Sequence, residues 1–133
     1  MKKRMLYLIL PIVTLILEIL PYGAVCNFAN PEGESWRRTF SYFDLIPFGY
    51  ANIAPLLTSI TTCAILILLL VYLFTDKRCM ISGTKALLCV AIILSLCPLL
   101  YGINFFSVVG ALITVSLIAE LVLLFITKAL KRV

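Results

Sequence analysis

The chain has 133 residues, 63% of them hydrophobic and 13% charged, with a formal net charge of +5. Soluble domains are about half apolar and a quarter charged, so this composition belongs in a bilayer. The basic residues sit at the ends of apolar runs and form no stripe interleaved with rings, which argues against nucleic acid, and the absence of histidine removes the usual general base near neutral pH and the commonest metal ligand.

Four runs approach the roughly 20 apolar residues that cross a bilayer as a helix. They fall at about 5–25, 53–74, 85–101 and 105–126. The first follows "MKKR" and precedes Cys26, the outline of a lipoprotein signal peptide. Val25 stands where a small residue should precede a lipidated cysteine, and Glu18 and Pro21 interrupt the apolar core, so an uncleaved span is expected. Tyr7, Pro11, Thr14, Glu18 and Tyr22 recur every three or four residues and share one helical stripe, which should face protein.

Next comes the 26–52 connection, with "ESWRRTFSYFDLIPFGY" at its centre. Trp36, Phe40 and Phe43 stand at i, i+4 and i+7, which would put three rings on one side of a short helix started by Ser35, with Arg37, Arg38 and Ser41 elsewhere. "TFSYF" also alternates in part, the pattern of a strand. Either way the segment reads as interfacial, a lid over the outer end of the bundle or a recognition surface. In the second span Asn52, Ser59, Thr62 and Cys63 concentrate polarity in one half, while "ILILLLVYLF" is aliphatic and aromatic. After the 75–84 connection, the third and fourth spans are joined by "YGINFF" and should form a tight antiparallel hairpin. The fourth carries Ser107, Ala111 and Thr114 with Gly110 beside them, a small-residue stripe that permits close helix approach. "ILPYGAVCNF" and "CPLLYGINFF" echo one another at the ends of the first and third spans, through duplication or shared interface chemistry.

Lys2, Lys3 and Arg4, then Lys77, Arg78 and Lys85, then Lys128, Lys131 and Arg132 mark alternate ends of the spans. The positive-inside rule puts both termini and the 75–84 loop in the cytoplasm and the 26–52 loop outside, where Glu32, Glu34 and Asp44 offset Arg37 and Arg38. The fold class expected is an all-α integral membrane four-helix bundle of two antiparallel hairpins, N-in and C-in, in the cytoplasmic membrane.

Two carboxylates fall inside spans, and a charge there costs about 2.5 kcal/mol or more. Glu18 lies in the outer half of its span and Glu120 in the inner half, so their backbones differ by on the order of 10 Å in height and they are read as separate groups. Glu18 could bind a proton or cation beside Ser59, Thr62 and Ser95; the alternative is a packing hydrogen bond or an ion pair with Arg37 or Arg38. Glu120 lies about 140° from the small stripe, on the face of Val109, Ile113 and Ser116, and should pair with Lys85 or Lys128 or snorkel to the surface. The cysteines, Cys26, Cys63, Cys79, Cys89 and Cys97, form no C-x-x-C pair and no metal-like spacing, so no disulfide framework, metal or cofactor is expected.

"ILPYGAVCNFANPEG" and "SYFDLIPFGYANIAPLLT" resemble small uncharacterised four-span bacterial membrane proteins, a resemblance that implies topology and no activity. Small multidrug-resistance transporters are similar in length and span count, with Glu18 as the matching carboxylate, although their loops are shorter and their flanking motif is not reproduced. The four-span quinone-linked disulfide enzymes are excluded by the missing C-x-x-C. The leading expectation is a non-enzymatic accessory or assembly subunit, bound to lipid and to a second copy or another membrane subunit through Gly110, Ala111, Thr114 and Glu120. The alternative is a small dimeric transporter or proton-coupled carrier using Glu18.

Overall fold

The computed structural model describes residues 2–49 and 52–130. Helix α1 (Lys2–Ile19) leads into strands β1 (Ala24–Phe28) and β2 (Trp36–Phe40) and a short helix α2 (Leu45–Gly49). Helices α3 (Ala54–Thr75) and α4 (Arg78–Leu96), two 3-10 turns (Cys97–Tyr101 and Ile103–Phe105) and α5 (Val108–Leu130) complete the chain. Three stretches, Ala54–Thr75, Arg78–Tyr101 and Val108–Thr127, are long and apolar enough to cross a membrane, and Met5–Ile19 is a shorter apolar helix.

The helices close a ring, α1 against α3, α3 against α4, α4 against α5 and α5 against α1. Their burial is inverted relative to a soluble bundle. Thr14, Glu18, Thr58, Ser59, Thr62, Thr84 and Glu120 are buried inside with Ile65, Leu69, Leu88 and Leu117, while Ile16, Ile67, Phe74, Ile93, Val115 and Val122 face outward. Water would penalise such a surface, whereas lipid solvates it and drives polar side chains to the interior.

The chain is mostly helical but not all-α, and several boundaries differ from the sequence expectations for physical reasons. Helix α1 stops at Ile19 instead of continuing to Val25, because Pro21 disfavours helical geometry at the residue before it and the chain turns into β1. Tyr22 therefore leaves the stripe and is exposed, while Tyr7, Pro11, Thr14 and Glu18 stay buried on it. The connection between α3 and α4 is far shorter than 75–84. Asp76 adopts a left-handed conformation with φ 53°, its N–H closes α3 on the Tyr72 carbonyl, and α4 begins at Arg78. Residues 79–84 join the helix because Met80 and Ile81 pack against the core and Thr84 is fully buried. At the other end Gly102, with φ 121°, makes a turn that residues with a β-carbon resist. Helix α5 starts at Val108 instead of Phe105 because the Ser107 hydroxyl caps it, accepting the Gly110 N–H at 2.8 Å.

The connection between α1 and α3 carries a β-hairpin, the strand alternative in "TFSYF", and not the helix that Trp36, Phe40 and Phe43 suggested. β1 and β2 pair antiparallel with Phe28 opposite Trp36 and Ala24 opposite Phe40. Period-two alternation puts Trp36, Arg38 and Phe40 on one side of β2. There Phe28 stacks on Trp36 with centroids 4.6 Å apart, meets Phe40 edge-on at 6.4 Å, and Arg38 lies 5.6 Å from the Phe40 centroid. These cross-strand ring contacts favour the strand over a short isolated helix. Phe43 lies beyond the strand and is exposed.

Candidate functional site

The last full turn of α1 carries Glu18 into the bundle, where it is 0% exposed. Its Oε1 lies 2.8 Å from Thr62 Oγ1 on α3, and that same hydroxyl lies 3.0 Å from the Thr58 carbonyl. A hydroxyl has one hydrogen to give. The Thr62 hydrogen is therefore shared between Glu18 Oε1 and the Thr58 carbonyl. The second oxygen, Oε2, has no hydrogen-bond partner among the described residues.

At the hairpin end of the bundle, next to Glu18, the mouth is filled by Tyr42, which is 2% exposed. Its N–H donates to the Glu18 carbonyl at 3.0 Å, and the Ser59 hydroxyl, 2.8 Å from the Leu56 carbonyl, also approaches the Tyr42 carbonyl at 3.4 Å. The ring occupies space that only glycines leave open. A β-carbon at Gly23 would stand 2.8 Å from Tyr42 Cδ1, and one at Gly110 3.3 Å from the phenol oxygen. Ser107 Oγ donates to the Gly23 carbonyl at 2.6 Å, pinning the hairpin to α5. Burial, and next the charge on Glu18, push the Tyr42 phenol well above the ordinary tyrosine range. Tyr42 was not singled out by sequence reasoning, although the alternation in "TFSYF" sets it on the same side as the inward Phe40.

The structure brings only part of the expected constellation together. Thr62 bonds Glu18 and Ser59 lies under the Tyr42 plug, but Ser95 ties α4 to α5 through Thr114 at 3.0 Å. Arg37 reaches the Phe106 carbonyl at 3.4 Å and Arg38 lies over Phe40, so the loop arginines serve the hairpin and not Glu18. Gly110 and Thr114 face into the bundle, with Ala111 half-buried, so the small stripe is filled from within this chain. Glu120 is 1% exposed and has not snorkelled. Neither of its oxygens has a hydrogen-bond partner among the described residues. Lys85 Nζ stands 3.9 Å from the Phe125 centroid, and the Lys128 side chain lies outside the described part. All five cysteines are free, with Cys26 buried and Cys79 and Cys89 exposed, and no group of metal-ligating side chains forms among the described residues.

No family model, curated protein or solved structure matches the chain. Its function is therefore read from the site.

Proposed function

We propose that the chain is a multi-pass protein of the cytoplasmic membrane, with both termini inside, that acts as a small proton-coupled carrier in which Glu18 takes up and releases the proton. The observation carrying this is the Glu18 carboxyl, fully buried with one oxygen unpartnered and the other sharing a single hydroxyl hydrogen. A purely structural hydrogen bond could be supplied by a neutral side chain without the cost of a carboxyl in a bilayer interior. Orientation follows the charges: Lys77, Arg78 and Lys85 lie at one end of the helices, and the hairpin that carries Arg37 and Arg38 together with Glu32, Glu34 and Asp44 lies at the other. The Tyr42 plug over Glu18 corresponds to a state closed toward the outside. No reaction is assigned to the protein.

Infrared titration of the protein in lipid vesicles tests this, comparing wild type with Glu18→Gln. The protonated-carboxyl band should lose a component as pH rises, and that component should be missing from Glu18→Gln with helix content unchanged. A band that never titrates overturns the carrier reading and leaves an accessory or assembly subunit, which predicts instead that deleting the hairpin disrupts a complex.

A further inference from the structure

We propose that Glu18 and Glu120 are the two ends of one internal proton path, with the Thr14 and Ser116 hydroxyls as the step between them. The inference rests on the reading of Glu18 as a proton-binding group and extends it to the inner half of the bundle.

The geometry begins with a contact between α1 and α5, Thr14 Oγ1 and Ser116 Oγ being 2.6 Å apart. In a four-helix ring crossed in alternate directions, α1 runs outward and α5 inward. Glu18 is four residues beyond Thr14 and Glu120 four beyond Ser116, so the carboxylates lie one turn to either side of the hydroxyl pair, with backbones about 12 Å apart along the axis. Side chains on a helix lean toward its N-terminus. Glu18 therefore leans toward the level of Thr14 and Glu120 toward that of Ser116; neither carboxyl is hydrogen-bonded to the hydroxyl pair at rest, so each swings about its side-chain torsions to reach it.

Both carboxyls are nine-tenths buried or more, and three of their four oxygens have no hydrogen-bond partner among the described residues. Groups that only glued helices together would be satisfied. Groups that exchange a proton need a free oxygen to receive it. Among the described residues the titratable and charged groups around them are few: Tyr42 of the plug, Cys63 next to Thr62 on α3, Lys85 of α4 over Phe125, and Tyr7 of α1 and Tyr72 of α3, the buried phenols toward the other end.

The transfer balances. The Glu18 carboxyl gives its proton to Thr14 Oγ1, Thr14 passes its own hydrogen to Ser116 Oγ, and Ser116 passes its own to the Glu120 carboxylate. Glu18 ends ionised, Glu120 neutral and both hydroxyls whole, with no electron moved. In the resting state Thr14 Oγ1 lies 2.9 Å from the Leu10 carbonyl, so its hydrogen must rotate off that acceptor first.

The test uses the full chain in vesicles, read in two ways. In Glu120→Gln the infrared titration of Glu18 should move by about 0.5 pH unit or more, as coupled sites do. In the double variant Thr14→Val, Ser116→Ala, proton equilibration across vesicles followed with an internal pH dye should slow by about tenfold or more while Glu18 still titrates. If Glu120→Gln does not assemble, the hydroxyl variant decides alone. Glu18 titrating as in wild type together with an unchanged proton rate in the hydroxyl variant overturns the path but leaves Glu18 a carrier carboxylate. A Glu18 that never titrates sinks both.

Discussion

At Gly23 the place of a side chain is taken by the Tyr42 ring, 2.8 Å from where a β-carbon would stand. The ring is rigid and nearly fully buried, held by its own backbone bond to Glu18 and by the Ser59 hydroxyl, so it has little room to yield. Gly23→Ala should therefore destabilise the protein by roughly 1–3 kcal/mol, the usual range for overpacking. A lowered thermal midpoint in detergent would show it, and an unchanged midpoint would mean that Tyr42 is not seated as described. This residue-scale fit was only partly legible in the sequence. The Tyr7, Pro11, Thr14 and Glu18 stripe can be read from spacing alone, but Gly23 and Tyr42 are 19 residues apart, and no local pattern announces that one is shaped for the other.

Elements were read best where one period dominates. The second span, predicted at 53–74, lies at Ala54–Thr75 because one half is continuously apolar and the hydroxyls of Thr58, Thr61 and Thr62 in the other half donate back to carbonyls of the same helix. The 26–52 connection was ambiguous because its rings satisfy a helical and a strand spacing at once. The decision came from "AVCNF" across the turn, which supplies a partner strand and the Phe28 ring for Trp36. Trp36 is the protein's one tryptophan, and its half-exposed ring reports where the hairpin sits. Phospholipids brominated near the headgroup should quench its fluorescence more strongly than those brominated deep in the chains. Absence of quenching by either would place the hairpin in water, away from the membrane surface.

For the whole molecule, the proposed orientation rests on the distribution of charge and is testable through the cysteines. Cys79 is exposed beside Arg78 at the start of α4, Cys89 is exposed on the apolar outer surface and Cys26 is buried in the hairpin, its thiol pushed up by burial. A membrane-impermeant maleimide should label Cys79 in inside-out vesicles and not in intact cells, with Cys79→Ser losing the label. Labelling from the outside would reverse the proposed topology. The sequence by itself determined the apolar helices, their charged ends and the inward stripe of α1, because hydropathy and helical period are local properties. The tertiary structure alone decided the hairpin, the Tyr42 plug and the facing of α5. An α5 packed between α1 and α4 buries a wide arc, so Thr114 meets Ser95 on one side and Ser116 meets Thr14 on the other. That arc takes in both the small stripe and Glu120, which helical spacing alone had set on different faces, because how much of a helix is covered depends on how many neighbours it has.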